Sequence, residues 1–282
     1  SHAVDGVCYP VKVSHGHVSF LQGKTRFLFI PTLIDMSGSN SSEKGCYCPM
    51  VRSNSYTVRS AIDVNMQNAL TPIIHLKKDL TSLSLEISKQ IKSKLGVTSR
   101  MIKSALAYAL DKQSLFIEDV YRQGKKIISV KKPEKPLIVV TGRPYNLYDD
   151  RLNLSLGRNL AKIGISSLPM DFIDARKMNL GPFSKIYWGL GTQILRTANW
   201  VANQSDCFGL HLTNFSCGVD SFLEHFYKHI MGNKPYLILE LDEHSAVAGM
   251  LTRLEAYKNV IENSMDHTTI NPSSCLKKVG AL

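Results

Sequence analysis

Three cysteines in this chain stand where a thiol has a physical reason to react or to bind metal. Cys8 precedes Tyr9 and Pro10, Cys48 precedes Pro49, and Cys217 precedes the helical pattern "GVDSFLEHFYKHIM". A cysteine at a helix start faces unpaired backbone N–H groups and the positive end of the helix dipole, which favour the thiolate. Taken alone, Cys8 reads equally as a metal ligand, a nucleophile or a buried thiol. Zinc suits the set poorly: structural zinc takes four protein ligands, usually from paired Cys-x-x-Cys units, and the sequence has no such pair. A [4Fe–4S] cluster is held by thiolates, and three of them would leave one iron open to water or substrate. Cys46 neighbours Cys48 with no clear role, and Cys207 lies inside an apolar run.

Other chemistries fit less well. "GLGTQ" (189–193) begins a dinucleotide fingerprint but follows no strand and lies in a helical pattern, and the chain has no P-loop. Cys217 with His211 or His244 imitates a thiol-hydrolase pair, which leaves Cys8 and Cys48 idle. His15 and His17 could orient a substrate, although a histidine on a helix face is more often structural.

These residues need a scaffold, and the apolar pattern supplies one. "PLIVVTG" (136–142), "ISSLPMD" (165–171), "DCFGLHLTN" (206–214) and "PYLILELD" (235–242) read as four buried strands, each followed by a helical pattern. That alternation predicts a parallel sheet covered on both faces. Ligands of such sheets bind beyond the carboxyl ends of the strands. There the sequence places Arg143 and Asn146, then Asp171, then Asn214 and Cys217, and finally Asp242, Glu243 and His244. Arg143 and Cys217 are expected side by side.

Further toward the N-terminus, "RFLFIP" (26–31) and "LTPIIHL" (70–76) read as strands, with helices expected near 54–66, 79–94 and 98–123. "KKPEKP" (131–136) is the expected linker. The predicted domains are residues 4–130, 136–265 and a tail at 266–282. Two strands are too few for a self-sufficient parallel sheet, so the first lobe is expected to be incomplete, with an open strand edge.

The chain has 282 residues, 44% of them hydrophobic, and a formal charge of +11. The basic residues are scattered without interleaved aromatics, which reads first as a solvated surface and argues against nucleic acid; an acidic partner or the phosphates of coenzyme A are what they could otherwise serve. No apolar run is long enough to span a membrane. Ser1-His2-Ala3 reads as a tag remnant, and six cysteines without a secretory signal fit a reducing cytoplasm.

In order, "VCYPVKVSHGHV", "FLFIP", "CPMV", "GRPYNLYDD", "LTNFSCGVDSF" and "LDEHSAVAGMLTRLEA" resemble the CoA-substrate-specific enzyme activase-related proteins. These are relatives of the activators and iron–sulfur components of 2-hydroxyacyl-CoA dehydratases. The resemblance spans roughly residues 5–260. It implies an α/β fold of two Rossmann-like lobes with parallel sheets, the N-terminal one truncated. It further implies Cys8, Cys48 and Cys217 as ligands of a [4Fe–4S] or double-cubane cluster, which an isolated fragment could lack. An ATPase domain of the same or a partner protein would supply electrons. The family's phosphate-binding loops are absent from this sequence, so ATP hydrolysis is not assigned to it.

The reading that follows is a cluster-bearing redox module passing low-potential electrons to an acyl-CoA-type substrate or a partner subunit, with a homodimer among its expected assemblies. Two alternatives stand beside it. One is a non-catalytic module, without a cofactor, coupling an ATPase domain to a partner. The other is a cysteine-dependent transferase working through Cys217.

Overall fold

A computed structural model describes residues 6–36, 45–132 and 134–270, with side chains described to residue 266. Ser1-His2-Ala3 lies outside the described residues, as do Pro133 of the linker and most of the expected tail.

The C-terminal sheet is fully parallel, and its spatial order is β6-β5-β7-β8. Its strands are β5 (Leu137–Gly142), β6 (Ser166–Pro169), β7 (Cys207–Asn214) and β8 (Tyr236–Leu241). Alternate residues of β5 point to opposite faces. Leu137 and Val139 meet α7 (Gly189–Ala202) and α8 (Gly218–Met231) through Ile194, Leu195, Leu223 and Tyr227. Ile138 and Val140 meet α6 (Leu156–Lys162) and α9 (Val247–Ile270) through Leu160, Leu254 and Ile261. Coverage on both faces is what lets all eight residues of β7 be buried. The strand order reverses direction between β5 and β7, so the crevice at their carboxyl ends is the topological switch point.

The N-terminal half departs from expectation in an instructive way. The first predicted strand, 26–31, holds only β1 (Leu28–Phe29), and β2 (Thr32–Asp35) lies beyond its end at Pro31; the second is nicked at Pro72 into β3 (Ala69–Leu70) and β4 (Ile73–His75). A proline has no N–H to give the ladder. The parallel pairing nevertheless runs through the break, because Ile30 N–H donates to Leu70 C=O and Thr32 N–H to Pro72 C=O. One face of this ribbon packs on α1 (Tyr9–Leu21) and α2 (Pro49–Ala61) around Val18, Val58 and Ile62. The other packs on α3 (Leu80–Leu95) and the start of α4 (Ser99–Val130) around Leu83, Ile87 and Ile102.

Helix starts follow local chemistry. Asp79 caps α3 by accepting from the Thr81 and Ser82 N–H groups, and Thr98 caps α4. The helix expected at 54–66 instead begins at Pro49, directly after Cys48, since proline is well suited to a first helical turn. The helix expected at 98–123 extends to Val130. Its far end is held at Gly124, where a Cβ would stand 1.9 Å from the Phe172 carbonyl oxygen, so only glycine permits the crossing. The strand predicted at 165–171 stops at Pro169 and continues as a 3-10 turn, Met170–Phe172. Helix α9 runs on to Ile270, into what the sequence suggested was tail.

Candidate functional site

Cys8, Cys48 and Cys217 are the N-cap residues of α1, α2 and α8, and Arg143 is the N-cap of the short helix α5 (Pro144–Tyr148). All four have extended backbones, with φ between −65° and −80°. Prolines follow at positions 10, 49 and 144, where a missing N–H costs nothing because no intrahelical acceptor awaits it. Ser216, just ahead of Cys217, has φ +63°, a conformation that non-glycine residues rarely adopt. The chain therefore turns sharply as it leaves β7 and enters α8.

These helix starts meet at Tyr145. Burial is the chief reason its phenol is held well above the ordinary tyrosine range, and the thiols of Cys48, Cys217 and Cys8 each push in the same direction. Arg143 opposes them, lowering the proton affinity of Tyr145, Cys8 and Cys217. Three sulfurs from both halves of the chain thus share one electrostatic environment with one tyrosine and one arginine.

The expectation that these helix starts favour thiolates needs correction for two of the three. Burial outweighs the helix terminus: Cys8 is raised, first by desolvation and then by the nearby Cys48. Cys217 is pushed up to about 12, by burial first and then by Asp220. Both are thiols at neutral pH. Cys207, buried in β7 and pushed up to about 11, is likewise protonated.

Beneath Arg143 and Cys217 lies a polar network that the sequence reading missed. Arg143 Nη2 donates to Asp220 Oδ1 at 2.6 Å, with both side chains almost fully buried. Thr213 donates to Asp220 Oδ2 at 2.8 Å. His211 Nε2 lies 4.0 Å from the same oxygen, its Nδ1 is 3.1 Å from the Thr141 hydroxyl, and its ring stacks on Tyr227. Burial works against the Asp220 charge, but Arg143 prevails and holds the carboxyl below its ordinary range. His211 is lowered, mainly by burial, and is neutral. The missed signal was positional: Asp220 falls in the first turn of α8, three residues after Cys217, where a carboxylate is favoured.

The carboxyl-end loops do converge. Arg143 after β5 reaches Asp220 after β7, as expected for adjacent strands. Tyr148 donates to Asp171 after β6 at 2.8 Å. Asn214 donates to the Leu241 carbonyl, tying β7 to β8. Glu243 pairs with Lys12 of α1, one turn beyond Cys8. Several expected crevice residues have structural bonds: Asp242 accepts from the His244 N–H and the Ser245 hydroxyl, forming the turn after β8. Asn146 is buried, its Nδ2 3.5 Å from the Leu212 carbonyl. His15 is buried in α1 and His17 is exposed. Cys46 has a backbone role, bridging Asp35 on one side and Trp188 on the other.

Among the described residues, no three histidine, cysteine, aspartate or glutamate side chains are grouped so as to hold a metal ion. A cubane asks for a wider spacing than a single ion does, with sulfurs roughly 6–7 Å apart around Fe–S bonds a little over 2 Å. Cys8 and Cys217 cap their helices near the buried cation Arg143, and Cys48 caps a third helix.

Fold and site together define an α/β protein with three helix-capping cysteines near the switch point of a parallel sheet. The chain belongs to a CoA enzyme activase family: the model described as "CoA enzyme activase uncharacterised domain" matches residues 1–173. No curated protein and no solved structure matches it. No helix among the described residues is long and apolar enough to cross a membrane.

Proposed function

We propose that this chain is the cluster-holding module of a CoA enzyme activase system, with Cys8, Cys48 and Cys217 as ligands of a [4Fe–4S]-type cluster. It would receive electrons from an ATP-hydrolysing domain and pass them to an acyl-CoA-type substrate or a partner subunit. The observation that carries this reading is the convergence of three helix-capping thiols, from both halves of the chain, on Tyr145 and Arg143.

A bound cluster would supply one-electron storage at low potential. The protein's own part is electrostatic. Arg143, kept charged by Asp220, offsets the negative charge that the thiolates bring, and burial keeps the Tyr145 phenol protonated as an O–H donor. Seating thiolates releases the protons that burial holds on Cys8 and Cys217, so loading should weaken as pH falls.

The test is anaerobic reconstitution with iron and sulfide, followed by iron and acid-labile sulfide analysis. The wild-type chain should retain both, and Cys8→Ser, Cys48→Ser or Cys217→Ser should each lose them while keeping the wild-type circular dichroism. A colourless, iron-free wild-type chain would overturn the proposal and favour the non-catalytic coupling module.

A further inference from the structure

Helix α4 is 32 residues long and its two ends are anchored in different places. Ile102 and Leu106 pack into the core beneath α3, while Gly124 lies against the Phe172 carbonyl and Ile128 packs on the core of the C-terminal sheet. Between these anchors, residues 107–119 are all exposed. At the helical rise this bare stretch is about 20 Å long.

It is not polar. The face that is buried at both ends continues through the middle as Ala109, Leu110, Phe116 and Ile117, with Leu110 42%, Phe116 62% and Ile117 36% exposed. The arrangement is symmetric about Gln113. Leu106, Ala109 and Leu110 precede it by seven, four and three residues, and Phe116, Ile117 and Val120 follow it by three, four and seven.

We propose that this face binds the same face of a second copy of the chain, with a two-fold axis through Gln113. A two-fold contact requires a surface complementary to itself. On such an axis Leu110 meets Phe116 of the other copy, and small Ala109 meets large Ile117. Gln113, the polar residue at the centre, carries an amide that both donates and accepts, so two copies satisfy each other reciprocally. Helices packed ridge into groove at about −50° touch over only two or three turns, and that crossing swings the lobes at either end of α4 clear of their mates. The proposal stands apart from what the three thiols hold.

Sedimentation equilibrium of the full 282-residue chain, from low to high micromolar concentration, should show a reversible monomer–dimer equilibrium. Gln113→Glu places two like charges on the axis and Phe116→Lys puts a cation in the stripe; each should weaken the dimer at least about tenfold. Both positions are exposed, and unchanged circular dichroism of each variant would show that the fold survives. Under mild oxidation Gln113→Cys should form a covalent dimer beyond the background of the unsubstituted chain. Ser104→Cys, nine residues earlier and so on the opposite side of the helix, should not. A monomer at every concentration, or a dimer unchanged by Gln113→Glu, overturns the proposal and leaves the face to a different partner.

Discussion

Arg143 and Asp220 form a buried ion pair whose desolvation is offset by Thr213, which satisfies the second carboxylate oxygen. Taking away one member strands a charge in a nonpolar interior and typically costs about 3–5 kcal/mol, whereas replacing both with apolar groups of similar size can be neutral. Asp220→Ala and Arg143→Ala should each lower the free energy of unfolding by about that much. Arg143→Met with Asp220→Leu should recover most of it. Urea denaturation of the four proteins checks this cycle, and a double variant as unstable as the single ones would show that the pair does more for the fold than cancel its own charges. The residue pair therefore serves the site without being cheap to keep: it holds a cation beside Cys8 and Cys217 at the expense of a core position.

Among the elements, α4 has the least support along its length and depends on its anchors. Gly124→Ala would drive a methyl group into the Phe172 carbonyl, which backbone cannot yield cheaply, so the C-terminal turns of α4 should lift from the 3-10 turn. The expected cost is about 1–3 kcal/mol, as for overpacking elsewhere. Hydrogen exchange should be faster at residues 120–130 while the four-stranded sheet is unaffected. This dependence was not legible in the sequence, where the expected helix ended at residue 123, just short of Gly124. What was legible were the four strands of the C-terminal sheet and the adjacency of Arg143 and Cys217, because long apolar runs and the βαβ pattern fix both. The nick at Pro72 was signalled by the proline itself, but the apolar run outweighed it in the pattern, and at Pro31 the expected strand stopped, so β2 beyond it was missed. Convergence on Tyr145 was out of reach for a different reason: it depends on how two halves of the chain dock, and no local spacing encodes that.

At the scale of the molecule, the N-terminal ribbon completes itself with residues far along the chain. Cys46 pairs through its backbone with Asp35 and with Trp188, its N–H donating to the Tyr187 carbonyl and its own carbonyl accepting from Gly189, and Glu243 reaches Lys12. A fragment ending at residue 135 lacks those partners and two of its strands are only two residues long. Its amides at 28–35 and 69–75 should exchange without measurable protection, whereas the intact chain protects them. The same dependence sets a timetable during synthesis. At about 5–20 residues per second, the stretch from residue 75 to residue 188 takes on the order of 10 s to make, and for that interval the first half waits as an unfinished ribbon. Cys8 and Cys48 are made well before Cys217. Any group that needs all three thiols can therefore be seated only after Cys217 has been made, so its insertion cannot guide the folding of the first half.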